Sequence, residues 1–287
     1  MIKKLFILIC IILLCGCQKT DVNTIDKYND EIYNTAFSKN KDNFIYFTAG
    51  CSLYRTDKKS AKEIFNFYTN KELYPTGYCI TYKDKLFCIL AKTKNGKMSY
   101  EYVLASLDHD GKNFKILEDI PAQGLQVFSM NIQNNKLHTK TGTGYYTCQI
   151  NDDYSVSSLE KSNETDLIEL QEKYIEQTYS YQDYTVNSRF SHIYNDYHFE
   201  TNFNTLYQRN LKTDDIKEYD IKEYNTSNEA FSLDWNLIDG QWFGTTKEGI
   251  VMTDLDLTNK TVLLKYSQTK QLDLNIPVSS QWKKAQD

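Results

Sequence analysis

From about residue 44 to residue 266, apolar and aromatic positions come in short runs that alternate with polar ones and are broken by clusters of Asp, Asn, Lys and Gly. A period of two over four to eight residues is the mark of a strand with one face turned inward. The pattern predicts strands over residues 44–48, 52–57, 78–82, 86–92, 102–108, 126–132, 145–150, 198–202, 206–211, 230–235, 241–245, 250–254 and 261–266. Many short strands at steps of about 8–12 residues point to an all-β sandwich, barrel or propeller.

A repeat selects among these. The segments SLYRTDKKSAKEIFNF (52–67), YVLASLDHDGKNFKIL (102–117), YYTCQINDDYSVSSLE (145–160), TLYQRNLKTDDIKEYDI (205–221) and IVMTDLDLTNKTVLLKY (250–266) share one plan. Each is an apolar strand, a turn rich in Asp, Asn, Lys or Gly, and a shorter strand. Another hairpin precedes each, as in GYCITYKDKLFCIL (77–90) and FSLDWNLIDGQWFGT (231–245). Four-stranded units repeated every 40–50 residues or so are the signature of a β-propeller, because each small sheet can bury its faces only against its neighbours. The fold expected is an all-β propeller of about five four-stranded blades. Residues 160–189 interrupt the series: Leu167, Leu170, Tyr174 and Ile175 fall at helical spacing, with Asn163 or Thr165 as N-cap, so this stretch is an inserted helix and loop or an eroded sixth unit.

Ahead of the repeats, Lys3 and Lys4 are followed by an apolar run from Leu5 to Cys15. That is the charged and apolar order of a secretory signal, and the run is shorter than the roughly 20 residues a spanning helix needs. It ends in Leu14-Cys15-Gly16-Cys17, a small residue before cysteine with leucine three positions ahead of that cysteine, the pattern of bacterial lipoprotein processing. The division expected is a signal peptide over 1–16, lipidated Cys17 and a polar tether over 17–33, the propeller over 34–270 and a tail over 271–287. Lipid on Cys17 would hold the chain on the outer side of the cell membrane, since each buried methylene contributes about 0.8 kcal/mol. A net charge of −5 gives no reason to expect nucleic acid as a partner. The wealth of Lys, Asn, Ile and Tyr fits a low-GC bacterial genome.

Hairpins such as Leu53-Tyr54-Arg55 and the turn Leu107-Asp108-His109-Asp110-Gly111-Lys112-Asn113 resemble the propeller repeats of extracytoplasmic bacterial lipoproteins. The families are the TolB-like ones and those described as similar to the propeller of low-density-lipoprotein-receptor-related proteins. The likeness spans about residues 35–266, with the turn of the second unit its best copy. It implies a propeller that acts as a binding scaffold.

Candidate chemistry is sparse. Four cysteines remain after the signal and Cys17, at 51, 79, 88 and 148, with no C-x-x-C pair to suggest a metal. In the hairpin turning at Lys83-Asp84, either a two-residue turn pairing Tyr82 with Lys85 or a four-residue turn pairing Thr81 with Leu86 sets Cys79 opposite Cys88. Those thiols should be adjacent and able to form a disulfide, in a compartment that permits one. His109 sits in its Asp-Gly turn and should point to solvent. Asp108, Asp110 and Gly111 look like the start of a calcium loop, but the later ligands are missing. His192 and His198 should share a strand face, and His138 and Cys148 could meet across a hairpin. Gly142-Thr143-Gly144 reads as a turn, and the pairs Asp152-Asp153 and Asp214-Asp215 as solvated turn acids. Neither a metal nor a cofactor is implied. The expected function is a membrane-tethered, non-enzymatic scaffold for a protein, peptide or glycan. Its binding surface is placed on Tyr174, Tyr179, Tyr181 and Tyr184, because tyrosine offers large contact area with a hydrogen-bonding tip. The alternative is an envelope glycan-active hydrolase or lyase, which would need two carboxylates about 5–10 Å apart near the ring's centre.

Overall fold

The computed structural model describes residues 37–94, 97–124, 127–163, 191–202, 205–224 and 235–269. They form five four-stranded antiparallel sheets, each a simple meander of consecutive strands, arranged as a five-bladed β-propeller. Blade 1 is β1 (Phe37–Lys39), β2 (Ile45–Ala49), β3 (Ser52–Thr56) and β4 (Ala61–Asn66). Blade 2 is β5 (Leu73–Tyr82), β6 (Lys85–Lys94), β7 (Lys97–Asp108) and β8 (Lys115–Ile120). Blade 3 is β9 (Val127–Gln133), β10 (Lys136–Thr141), β11 (Gly144–Gln149) and β12 (Glu160–Ser162). Blade 4 is β13 (Ser191–Tyr194), β14 (Tyr197–Asn202), β15 (Thr205–Asn210) and β16 (Ile216–Asp220). Blade 5 is β17 (Asn236–Ile238), β18 (Gln241–Thr245), β19 (Gly249–Asp254) and β20 (Lys260–Lys265). Each repeat segment read from the sequence is the third strand, turn and fourth strand of a blade. Among the described residues, no helix is long and apolar enough to cross a membrane.

Burial follows position in the blade. In blade 2 the second and third strands are covered on both faces: Phe87–Ala91 of β6 and Val103–Ala105 of β7 are buried. A strand packed on both sides reads as a continuous apolar run, because neither face meets water. The fourth strands lie outermost and carry exposed positions, most of all β16. Asp239-Gly240 and Asn134-Asn135 occupy two-residue turns at positive φ, which matches the twist of the strands they join.

Three features depart from the sequence reading. Of the strand expected over 230–235, residues 230–234 lie outside the described residues; Trp235 is not in a strand, and β17 begins at Asn236. A short helix, α1 (Phe67–Lys71), links blades 1 and 2, with the Asn66 side chain accepting from Thr69 N at 2.9 Å. The short innermost strands β1 and β13 are not among the predicted strands, since three or four residues cannot show a period, while β17 and β18 form the hairpin read over 231–245. The segment 164–190, read above as an insert or an eroded sixth unit, also lies outside the described residues.

Apolar side chains join the blades in pairs. Leu53, Phe67, Leu86 and Val103 belong to a core between blades 1 and 2, and Phe87, Leu104, Met130 and Leu137 to one between blades 2 and 3. Phe199, Leu206, Trp242 and Val251 join blades 4 and 5. The ring closes where Phe37 and Phe47 meet Phe243 and Ile250. Among the described residues no sheet contains strands from both ends of the ring, and these side chains join the two ends. Ion pairs from Lys39 and Lys58 to Asp239 add to it, at 2.6 and 3.2 Å.

Candidate functional site

The acids that mark the repeat are used by the fold. Asp57 Oδ1 accepts from the main chain of Lys59 and Ser60, and Asn210 Oδ1 from Lys212 and Thr213. Asp254 Oδ1 accepts from Thr258 and Asn259. Asp108 pairs with Lys85 and accepts from Asn113, while Asn151 donates to Ser155. A short polar side chain that satisfies its own turn explains why the type recurs without any chemistry attached. Gly111 completes the second turn at φ 85°, where a Cβ would lie 2.3 Å from the Ile64 carbonyl oxygen.

Around the axis, the innermost strands β1, β5, β9, β13 and β17 contain no Asp or Glu. Apart from Lys39, which pairs with Asp239, the polar groups named below are neutral hydrogen-bonding ones. Ser38 Oγ meets Thr81 Oγ1 at 2.9 Å and accepts from Thr81 N at 2.8 Å, which stitches blade 1 to blade 2. Asn131 Oδ1 and Asn236 Oδ1 are buried with no hydrogen-bond partner among the described residues.

Polar side chains also collect on the faces of blades 3 and 4 that lie away from the apolar cores. Met130, Ile132 and Leu137 turn one face of blade 3 toward blade 2. The register then puts Ser129, Asn131 and His138 on the other face, toward blade 4. On blade 4, Phe199 and Leu206 face blade 5, which leaves His198, Glu200, Tyr207 and Arg209 facing blade 3. His198 is 4% exposed and stands directly opposite Arg209. Burial, helped by the Arg209 charge, pushes the His198 imidazole down to about 4, so it is neutral at ordinary pH. Burial raises the Glu200 carboxyl, against the opposing pull of Arg209. Arg209 itself pairs with Asp214. A neutral imidazole offers one donor and one acceptor, which suits amides and hydroxyls. It is a poor general base, whose strength should lie near the working pH. Glu200, Arg209 and Asn131 were not singled out from the sequence. The legible signal was charged or amide residues at alternate, interior positions of otherwise ordinary strands.

The residues that were singled out fare differently. Cys79 and Cys88 are paired in the register and their sulfurs lie 2.9 Å apart, both buried as free thiols. His109 does not point to solvent. It stacks on Tyr46 with ring centroids 5.2 Å apart, and Asn40 Nδ2 lies 3.3 Å from its Nδ1. Asn40 Oδ1 already accepts from Asp42 and Phe44, so the amide nitrogen faces the ring and Nδ1 accepts. Burial lowers the imidazole's proton affinity, against the opposing effect of a hydrogen bond with the Lys85 main chain. His192 and His198 do not lie on one strand: a turn separates them, and they fall on β13 and β14, paired in register with Phe199 and Ile193. His138 and Cys148 do not meet either, because the pairs are His138 with Thr147 and Leu137 with Cys148. Gly142-Thr143 is the two-residue turn between β10 and β11. Asp153 accepts from Ser155, and Asp215 from the Thr213 hydroxyl. Cys17 and Tyr174, Tyr179, Tyr181 and Tyr184 lie outside the described residues.

Among the described residues, no cluster of three or more His, Cys, Asp or Glu could hold a metal ion. No family model matches the chain, and no curated protein matches it. Solved structures give remote likenesses. The nidogen/laminin complex is 9% identical at a TM-score of 0.32, over 80% of this chain and 78% of that one. A protein of unknown function from Bacteroides caccae is 10% identical at 0.31, over 79% of each chain. An oligogalacturonate lyase from Vibrio parahaemolyticus is 10% identical at 0.33, over 85% of this chain and 68% of that one. Likenesses this remote carry no argument about the chain's function, and its own strand order is what makes it a five-bladed β-propeller.

Proposed function

We propose that this chain is a lipoprotein, anchored through Cys17 outside the cytoplasm, whose propeller binds a protein, peptide or glycan of the cell envelope without chemical turnover. The observation that carries the binding reading is the seam between blades 3 and 4, where His198 is held neutral beside Glu200 and Arg209 in a ring otherwise joined by apolar cores. Such groups recognise neutral polar ligands better than they move protons. A glycan-cleaving pair of carboxylates has no support on the innermost strands, which carry none. The chain that joins blade 3 to blade 4 includes Tyr174, Tyr179, Tyr181 and Tyr184, and we assign these tyrosines to the same binding surface. About twenty residues separate Cys17 from β1.

The test uses the full chain in its native membrane. Tyr181→Ala with Tyr184→Ala should leave the melting temperature within about 2 °C of wild type, as surface changes do. The same variant should lose binding to peptidoglycan fragments or to the captured envelope partner. A large fall in melting temperature, or unchanged binding, refutes the assignment to these tyrosines. Release of cleaved glycan by the purified chain refutes the non-enzymatic reading. Cys17→Ser should abolish incorporation of radioactive palmitate, and wild-type labelling would refute the anchor.

A further inference from the structure

The core between blades 1 and 2 contains two cysteines that face each other across a hairpin. Tyr82 and Lys85 flank the turn of this hairpin, and Cys79 pairs with Cys88 three positions further along. Counting outward from the turn, that is a non-hydrogen-bonded pair, where α-carbons approach to about 4.5 Å. Disulfides span α-carbon separations of about 4.4–6.8 Å, so the backbone need not move to form one. The two sulfurs are already 2.9 Å apart, with the Cys88 thiol donating to Cys79.

The surroundings give the pair a task. β5 is irregular just before Cys79: the register shifts between Pro75 and Cys79, Pro75 has no N–H, and Gly77 sits at φ 95°. Proline and a bulge weaken a ladder and loosen its register. Yet β5 packs against β1 and β2 of blade 1 and β9 of blade 3, so a slip here would disturb two blade contacts. A covalent link at Cys79 would pin β5 where regular pairing resumes.

We propose that Cys79 and Cys88 are a disulfide site, closed during folding by exchange with a disulfide oxidant. In the first step one thiolate attacks a sulfur of the oxidant, forming a mixed disulfide and releasing one oxidant thiolate. The second cysteine's thiolate then attacks the mixed disulfide and releases the other oxidant thiolate. Two electrons pass to the oxidant's disulfide, two protons leave the cysteines, and one Sγ–Sγ bond remains in the chain. The timing follows from burial. Both side chains are fully buried, and burial pushes the Cys88 thiol far up, so the thiolate the exchange needs forms only before the blades pack. The hairpin closes only a short loop and can form early, and the packed core afterwards shields the bond from reductants.

The inference rests on the chain's lying outside the cytoplasm, so the protein is taken from the membrane fraction and unfolded in iodoacetamide without reductant. Trypsin cuts after Lys71, Lys83, Lys85 and Lys92, which puts Cys79 on peptide 72–83 and Cys88 on peptide 86–92. These two peptides should appear joined, 2 Da lighter than their sum, and should separate on reduction. Reduction should also lower the unfolding midpoint by about 5–10 °C. Alkylation of both cysteines in membrane-fraction protein, or a link to Cys51 or Cys148, overturns the proposal. Absence of the chain from that fraction counts against the anchor instead. The disulfide is then judged on chain refolded with oxidised and reduced glutathione, where the same joined peptides must dominate or the proposal fails.

Discussion

Lowering the pH should loosen the ring through one buried histidine. Unfolded, the His198 imidazole takes its proton near 6.5, whereas in the folded chain it resists until about 4. Between those values the unfolded state binds more protons, so the native state loses stability as pH falls through that window and keeps all of it above 6.5. Each decade in proton affinity is worth about 1.4 kcal/mol, so the full loss approaches about 3 kcal/mol. For a chain of this size that is a fall of roughly 6–12 °C in melting temperature. Glu200 works in the other direction: its raised carboxyl costs stability as pH climbs above its ordinary value of 4.5. The two slopes overlap, so wild type alone would understate the histidine. His198→Gln keeps a neutral polar side chain and removes the titration. The assay is thermal or urea unfolding of wild type and variant at half-unit steps from pH 7.5 to 3.5. The difference between them should be flat above 6.5 and shift in the variant's favour by about 3 kcal/mol by pH 4. A difference that stays constant with pH, or moves in wild type's favour, would refute burial as the cause.

Two further outcomes follow from the packing. Gly244 lies against the Trp235 ring so closely that a Cβ would sit 2.1 Å from it, and Trp235 is 1% exposed. Gly244→Ala should destabilise by about 1–3 kcal/mol through overpacking and shift Trp235 fluorescence; an unchanged urea midpoint would contradict the close contact. Asp239 receives both Lys39 and Lys58 where blade 5 meets blade 1, and Asp239→Ala should cost about 1 kcal/mol at low salt. That cost should shrink at 1 M salt, and a salt-independent loss would show that the pairs do not act by charge.

The chain's own pattern determined the architecture because strand, turn and strand are local. The runs 102–107 and 145–149 could bury their apolar residues only in a pleated sheet, and the turn residues Asp57, Asp108, Asn151, Asn210 and Asp254 close within a few positions of themselves. The same locality made the Cys79–Cys88 pairing readable, since a hairpin with a known turn has one register. What the tertiary structure decided is which face of each strand meets which neighbour. His109 looked like a solvated turn residue until blade 1 brought Tyr46 and Asn40 against it. His192 and His198 looked like neighbours on one strand until a turn at 195–196 put them on two different strands. The polar seam likewise depends on ring order: nothing near His198 in sequence says that its face looks toward blade 3 while Phe199 looks toward blade 5. A period of two separates inside from outside, but in a propeller both faces are inside. Only the closed ring tells an apolar contact from a polar one.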